Sequence, residues 1–79
     1  MTKGEYLVGI TFNPGGNETV DKLKRAAADL IDLVEAIKAP EDPTQLQPSE
    51  VGRLKALAIT NIENGAMWAV KAATKPKRE

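Results

Sequence analysis

The residues best able to do chemistry stand together near the N-terminus: Phe12, Asn13, Pro14, Gly15, Gly16 and Asn17, followed closely by Lys22, Lys24 and Arg25. Asn-Pro-Gly-Gly is turn chemistry. Proline presets φ at the second turn position, and Gly15 can take the positive φ of a type II turn. Asn17 can then cap a helix, its side-chain oxygen accepting from free backbone N–H groups. A glycine pair that meets a helix N-terminus exposes amides where the helix dipole favours anions. Three cations fall within the first two turns, and Phe12 offers a flat face on which a base can stack. This pattern fits a site for a small phosphate-bearing ligand. It also fits an ordinary capped helix start, which is the commoner use of such residues.

Little else in the chain can do chemistry. There is no histidine and no cysteine, so the usual nucleophilic triads and the imidazole or thiolate metal sites are absent. Ser49 is the only serine and sits at a predicted helix start, where it serves better as a cap. Asp29 and Asp32 are spaced i, i+3 on a predicted outer face, with no apolar pocket to tune them as acid and base. The glycine pair lacks the spacing and the Lys-Ser/Thr ending of a P-loop. The expectation is a binding or assembly protein, not an enzyme, with no metal and no cofactor.

The elements that must position these residues follow from periodicity. Tyr6, Val8, Ile10 and Phe12 alternate with Leu7, Gly9 and Thr11, which predicts a short extended segment over residues 6–12, preceded by a frayed polar end. Residues 18–38 predict a helix. Val20, Leu23, Ala27, Leu30, Val34 and Ile37 recur at alternating spacings of three and four, an apolar seam, and Ile31 and Leu33 lie off it. Arg25 can pair with Asp21 and Asp29 at i, i+4. Residues 39–47 hold Pro40 and Pro43 and break the helix. A second helix is predicted over 48–74, opening on Pro48 and ending before Pro76. Its main stripe is Val51, Leu54, Ala58, Ile62, Ala69 and Ala73, with Ile59, Ala66 and Val70 beside it. Leu57 and Trp68 share another flank, and Met67 points elsewhere. One hairpin partner cannot cover so much apolar circumference, so Leu57, Met67 and Trp68 are expected at an oligomer interface. Gly65, in mid-helix, is expected to mark a close approach.

Size and charge agree. A single 79-residue domain without a disulfide is marginal alone, and self-association is its route to a larger core. Eleven basic residues balance eleven acidic ones, a poor composition for duplex nucleic acid. No apolar run approaches a signal peptide or a membrane span, and the chain reads as cytoplasmic.

Two stretches carry a family resemblance: Phe12-Asn13-Pro14-Gly15-Gly16-Asn17 leading into Val20-Asp21-Lys22-Leu23-Lys24, and Leu57-Ala58-Ile59-Thr60-Asn61-Ile62-Glu63 leading into Ala66-Met67-Trp68-Ala69-Val70-Lys71-Ala72. Together they resemble the small phage cyclic-oligonucleotide sponges of the anti-CBASS type, related to the helical hairpin of the Thoeris anti-defence sponges. The resemblance implies an all-α antiparallel two-helix hairpin assembled into a homo-hexamer. It implies sequestration of cyclic dinucleotides such as 3′,3′-cyclic GMP-AMP, uncleaved, in the cytoplasm of an infected bacterium. In the family a loop tyrosine stacks on a base and a lysine early in the first long helix meets phosphate. Phe12 and Lys24 match those positions, and Phe12 keeps the stacking face without the hydroxyl. The implied ligand-binding residues are thus Phe12, Asn13, Pro14, Gly15, Gly16 and Lys24. Some members also hold cyclic trinucleotides at a separate site. Many members carry arginine just before the threonine of the second helix, and Ile59 stands there instead, which counts against that second ligand. The alternative is a structural helical-hairpin oligomer, or a protein-interaction module, with no small ligand.

Overall fold

Asn17 starts the central element of the fold. In the computed structural model, which describes residues 1–42, 44 and 47–78, its side-chain oxygen accepts from Val20 N at 3.1 Å and opens α2 (Glu18–Glu35). A short helix, α1 (Lys3–Val8), precedes it, and a long one, α3 (Pro48–Thr74), follows. The fold is all-α, and no strand occurs among the described residues. Pro43, Gln45 and Leu46 of the predicted connection lie outside the described residues.

α2 and α3 form the antiparallel hairpin. Asn17 Nδ2 approaches Ala73 O at 3.5 Å at one end, and Lys55 Nζ donates to Glu35 O at 2.8 Å at the other. The two segments between these ties are equally long, roughly 27 Å at 1.5 Å per residue, so they lie in register. α2 ends at Glu35, three residues before the predicted limit. Lys55 is the reason: it also donates to Ile37 O at 2.6 Å, so one ammonium takes up carbonyls that the helix ending leaves free. α3 begins at Pro48 as predicted, but Gln47 is its N-cap and Ser49 is already helical, since proline occupies the first turn.

The N-terminus corrects the sequence reading. Residues 6–12 are not an extended segment, and the preceding residues are not frayed. Thr2 and Glu5 make a capping box: Thr2 Oγ1 accepts from Glu5 N at 3.1 Å, and Thr2 N donates to Glu5 Oε1 at 2.8 Å. Gly9 ends the helix in the left-handed region, at φ 64° and ψ 57°, and Ile10 N donates back to Glu5 O at 3.0 Å. Six helical residues are not stable alone. α1 persists because it docks antiparallel on α2. Gly4 N donates to Asp32 Oδ1 at 2.8 Å, Lys3 pairs with Glu35 at 3.1 Å, and Arg25 bridges Glu5 at 2.9 Å and Asp29 at 2.8 Å. The Thr2 amide, and then the Arg25 guanidinium, hold the Glu5 carboxyl down at about 2. Gly4 permits the contact: a Cβ there would stand 2.1 Å from Ala28 O. Of the two expected Arg25 pairs, Asp29 forms one; Asp21 accepts instead from Asn13.

α2 is therefore the middle helix. Its most buried line is Val20, Lys24, Ala28 and Ile31, which runs between the faces given to α1 and α3. Leu30 and Ile37 of the predicted seam are half-exposed, and Leu33 is largely exposed. On α3 the buried residue is Ile59, placed beside the stripe by the sequence pattern, while Leu54 is partly exposed.

The result is thin. The Cα extents are 58 × 27 × 13 Å and the radius of gyration is 15.7 Å, where a compact chain of this length would have roughly 12 Å. The chain exposes 6009 Å², whereas a compact monomer of its mass exposes roughly 4,700 Å².

Candidate ligand-binding site

The loop between α1 and α2 is tied by its own backbone hydrogen bonds and by the Asn13 side chain. Phe12 N donates to Gly9 O at 2.9 Å, and Gly16 N donates to Asn13 O at 3.0 Å, closing a second turn over Pro14-Gly15. The positive φ of this turn falls on Gly16, at 62°, and not on Gly15 as the type II reading required. Asn13 clasps the backbone of Asn17 from both sides, accepting from its N–H at 3.1 Å and donating to its carbonyl at 2.7 Å. Its Nδ2 also reaches Asp21 Oδ1 at 2.8 Å. The Asn13 side chain is thus committed to shaping the loop. Pro14, Gly15 and Gly16 are exposed, and a Cβ at either glycine would meet nothing within 4 Å, so the backbone there is open to approach.

Lys24 sits beneath this loop. It is only 7 % exposed, and its ammonium donates to Gly9 O at 2.9 Å and to Phe12 O. The same Nζ lies 5.4 Å from the centroid of the Phe12 ring, within cation–π range. Among the described residues no carboxylate pairs with it. The carbonyl dipoles solvate the ammonium but leave its net charge in place. Phe12 itself is 71 % exposed, its ring standing out from the loop.

Two clefts flank Lys24. One, of about 470 Å³, is lined by Phe12, Asn13, Pro14, Gly15, Asn17, Val20 and Lys24, and by Val70, Ala73 and Thr74 of α3. It brings five of the six expected ligand-binding residues onto one wall; Gly16 belongs to the same turn but not to the lining. The other, of about 490 Å³, lies between α1 and the middle of α3, where Leu7, Val8 and Lys24 face Thr60, Asn61, Asn64, Met67 and Val70. Both volumes lie within the range of small-molecule sites. The sequence reading missed the second cleft, because it took Leu7 and Val8 for part of an extended segment. The Thr2…Glu5 box and Gly9 were the signal that α1 exists.

Leu57, Met67 and Trp68 are each about half exposed, and Lys71 Nζ lies 5.1 Å from the Trp68 ring. Gly65 has nothing within 4 Å of a built Cβ, so the close approach expected there does not arise within one chain. A third, largely apolar groove at the hairpin turn, lined by Val34, Ile37, Pro40, Val51, Leu54 and Ala58, is also open. Among the described residues no helix is long and apolar enough to cross a membrane, and no three acidic side chains gather as metal ligands.

Comparison with known families gives one match. The sequence pattern of the Acb2/Tad1 hairpin domain covers residues 5–74. That span runs from the capping box of α1 to the last residue of α3 and takes in both clefts. No curated protein and no solved structure matches the chain.

Proposed function

The chain belongs to the Acb2/Tad1 hairpin-domain family of anti-defence sponges, and we propose that it sequesters a cyclic dinucleotide, uncleaved, in the cytoplasm of an infected bacterium. By removing the messenger it keeps the CBASS effector proteins of the host inactive. The observation that carries this reading is the pre-shaped loop: Phe12 is held outward above a buried cation, beside an unobstructed glycine backbone. A cyclic dinucleotide has two flat bases and two phosphates. Stacking on Phe12 supplies about 1–3 kcal/mol per base, by analogy with single-stranded nucleic acids. The free Gly15 N–H of the turn and the Lys24 charge favour the phosphates.

The ligand is two-fold in character, and two copies of one patch across a symmetry axis match it. Self-association is thus part of the proposal, with a homo-hexamer as the family form. It is supported by the thin shape, by exposed Leu57, Met67 and Trp68, and by roughly 1,300 Å² of surface beyond a compact monomer's share. A stable protein interface takes about 800 Å² per partner, so the excess is enough for one such contact. Cyclic trinucleotide binding is not proposed, since Ile59 is buried and cannot stand in for an arginine at a ligand surface.

Calorimetric titration with 3′,3′-cyclic GMP-AMP, alongside its linear form, tests the reading. Tight binding of the cyclic compound, recovered intact after denaturation, is expected. Cleavage would overturn the non-enzyme proposal. Silence across a panel of cyclic di- and trinucleotides would leave a structural helical-hairpin oligomer as the better account.

A further inference from the structure

The α2 side of the candidate cleft is electrically balanced. Glu18 and Asp21 stand against Lys22 and Lys24, two negative charges against two positive ones. Lys22 pairs with Glu18 at 3.4 Å, and Arg25 is engaged by Glu5 and Asp29. A dianion approaching α2 alone therefore feels little attraction from a distance. Further cations stand where α3 ends. Val70, Ala73 and Thr74 line the cleft with Phe12 and Lys24, and Asn17 Nδ2 approaches Ala73 O at 3.5 Å, so the end of α3 lies at the start of α2. The next residue, Lys75, leaves the helix at φ −65° and ψ 128°, and Pro76 favours that extended backbone. Lys75, Lys77 and Arg78 are all exposed, and among the described residues none of them forms an ion pair. Lys71 is not of this group, since its ammonium lies 5.1 Å from the Trp68 ring. Successive Cα atoms are about 3.8 Å apart, which puts Lys75 one step and Lys77 at most about 11 Å from the lining residue Thr74. That is comparable to a screening length of about 8–10 Å. Even with Glu79 set against the three cations, the sequence leaves two positive charges here, equal to the two negative charges of a cyclic dinucleotide. The family pattern ends at residue 74, so these cations lie outside the span this chain shares with it. We propose that Lys75, Lys77 and Arg78 form a cationic rim on the Phe12–Lys24 cleft, which draws the phosphates of the ligand in and speeds its capture without holding it once bound. The kinetic arm of the test rests on the cyclic dinucleotide reading; the pyrophosphate arm does not.

Rate and place distinguish such a rim from a general effect of charge. The triple variant Lys75→Gln, Lys77→Gln, Arg78→Gln removes three positive charges beyond the last residue of α3, Thr74. Its association with a 2-aminopurine analogue of 3′,3′-cyclic GMP-AMP is read by stopped flow. Capture is expected to slow about tenfold at about 20 mM NaCl and about threefold at about 150 mM, as attractions acting over about 10 Å in water are progressively screened. The dissociation rate should change less than about twofold, as is usual for rim charges. Lys38→Glu with Arg53→Gln lowers the charge by the same amount at the hairpin-turn end, near Lys55. That variant should associate within about twofold of the wild-type rate, because its charges lie well beyond a screening length from the cleft. Wild-type association by the triple variant at low salt would overturn the proposal. So would equal slowing by the far-end variant, or a loss confined to dissociation. If the wild type binds no cyclic dinucleotide, the proposed function fails and inorganic pyrophosphate decides the rim. Its titration into the wild type should shift the Gly15, Thr74 and Lys75 amide resonances together, and the triple variant should lose that response. Unmoved amides in the wild type, or a shift that the triple variant keeps, would overturn the proposal.

Discussion

Gly4→Ala inverts the usual rule for helices and so isolates what docks α1. Alanine is favoured over glycine in a helix by up to about 1 kcal/mol, and on that basis alone the substitution stabilises. The tertiary contact opposes it. The added Cβ would meet Ala28 O at 2.1 Å, Ala28 C at 2.8 Å and Ala28 Cα at 2.9 Å. All three are backbone atoms, so no rotamer change relieves the clash, and Ala28→Gly cannot rescue it. Ordinary contact begins near 3.4 Å, so α1 must lift by roughly 1.3 Å, more than packed interiors absorb without cost. That lift stretches the bond from Gly4 N to Asp32 Oδ1, now 2.8 Å, beyond hydrogen-bond range. A bond to a charged acceptor contributes about 1.5–3 kcal/mol, and overpacking costs about 1–3 kcal/mol. After the helix gain, the docked state of α1 should lose about 1.5–5 kcal/mol. The effect is local, because α2 and α3 hold each other without α1. Native-state amide exchange reads it: the Leu7 and Val8 amides should exchange at least about tenfold faster, while mid-α2 amides change little. Gly52→Ala is the control. A Cβ there meets nothing within 4 Å, so that change should stabilise α3 by about 0.5–1 kcal/mol. Unchanged or increased protection of α1 in Gly4→Ala would refute the close-contact argument.

Lys55→Met removes the ammonium from Glu35 O and Ile37 O and should lower stability to urea by about 1–3 kcal/mol; an unchanged midpoint would mean that solvent caps α2 equally well. Acid should undock α1 selectively. The Glu5 carboxyl lies at about 2 in the folded chain against an ordinary 4.5, so its contribution is whole above about pH 4.5 and is lost as pH falls toward 2. Amide exchange of α1 across that window should show the loss, and Glu5→Gln should abolish its pH dependence. Trp68→Arg with Met67→Glu, both on exposed positions of α3, should lower the sedimentation mass of the assembly without reducing helicity; an unchanged mass would move the interface elsewhere.

The long helices and the hairpin were readable from sequence because they rest on local rules. Asn17 is a strong cap, Pro48 fits a first turn, Pro40 and Pro76 bar continuation, and the apolar periods of α2 and α3 run long enough to be unambiguous. α1 was also written locally, in Thr2, Glu5 and Gly9, but its six residues are too few for a period of two to be told from a period of 3.6. Tertiary structure alone decided the rest. The seam of α2 shifted toward Lys24 and Ile31 because a second neighbour, α1, covers the flank that a two-helix reading leaves to solvent. α2 stopped short of its period because a lysine twenty residues away took its last carbonyls. Lys24 shows the limit most plainly. Its residue type and helix position point to a surface cation, and its burial follows from two carbonyls that reach it only when α1 folds back along α2. Periodicity reports which residues prefer to avoid water; it carries no information about which distant backbone groups will arrive to replace it.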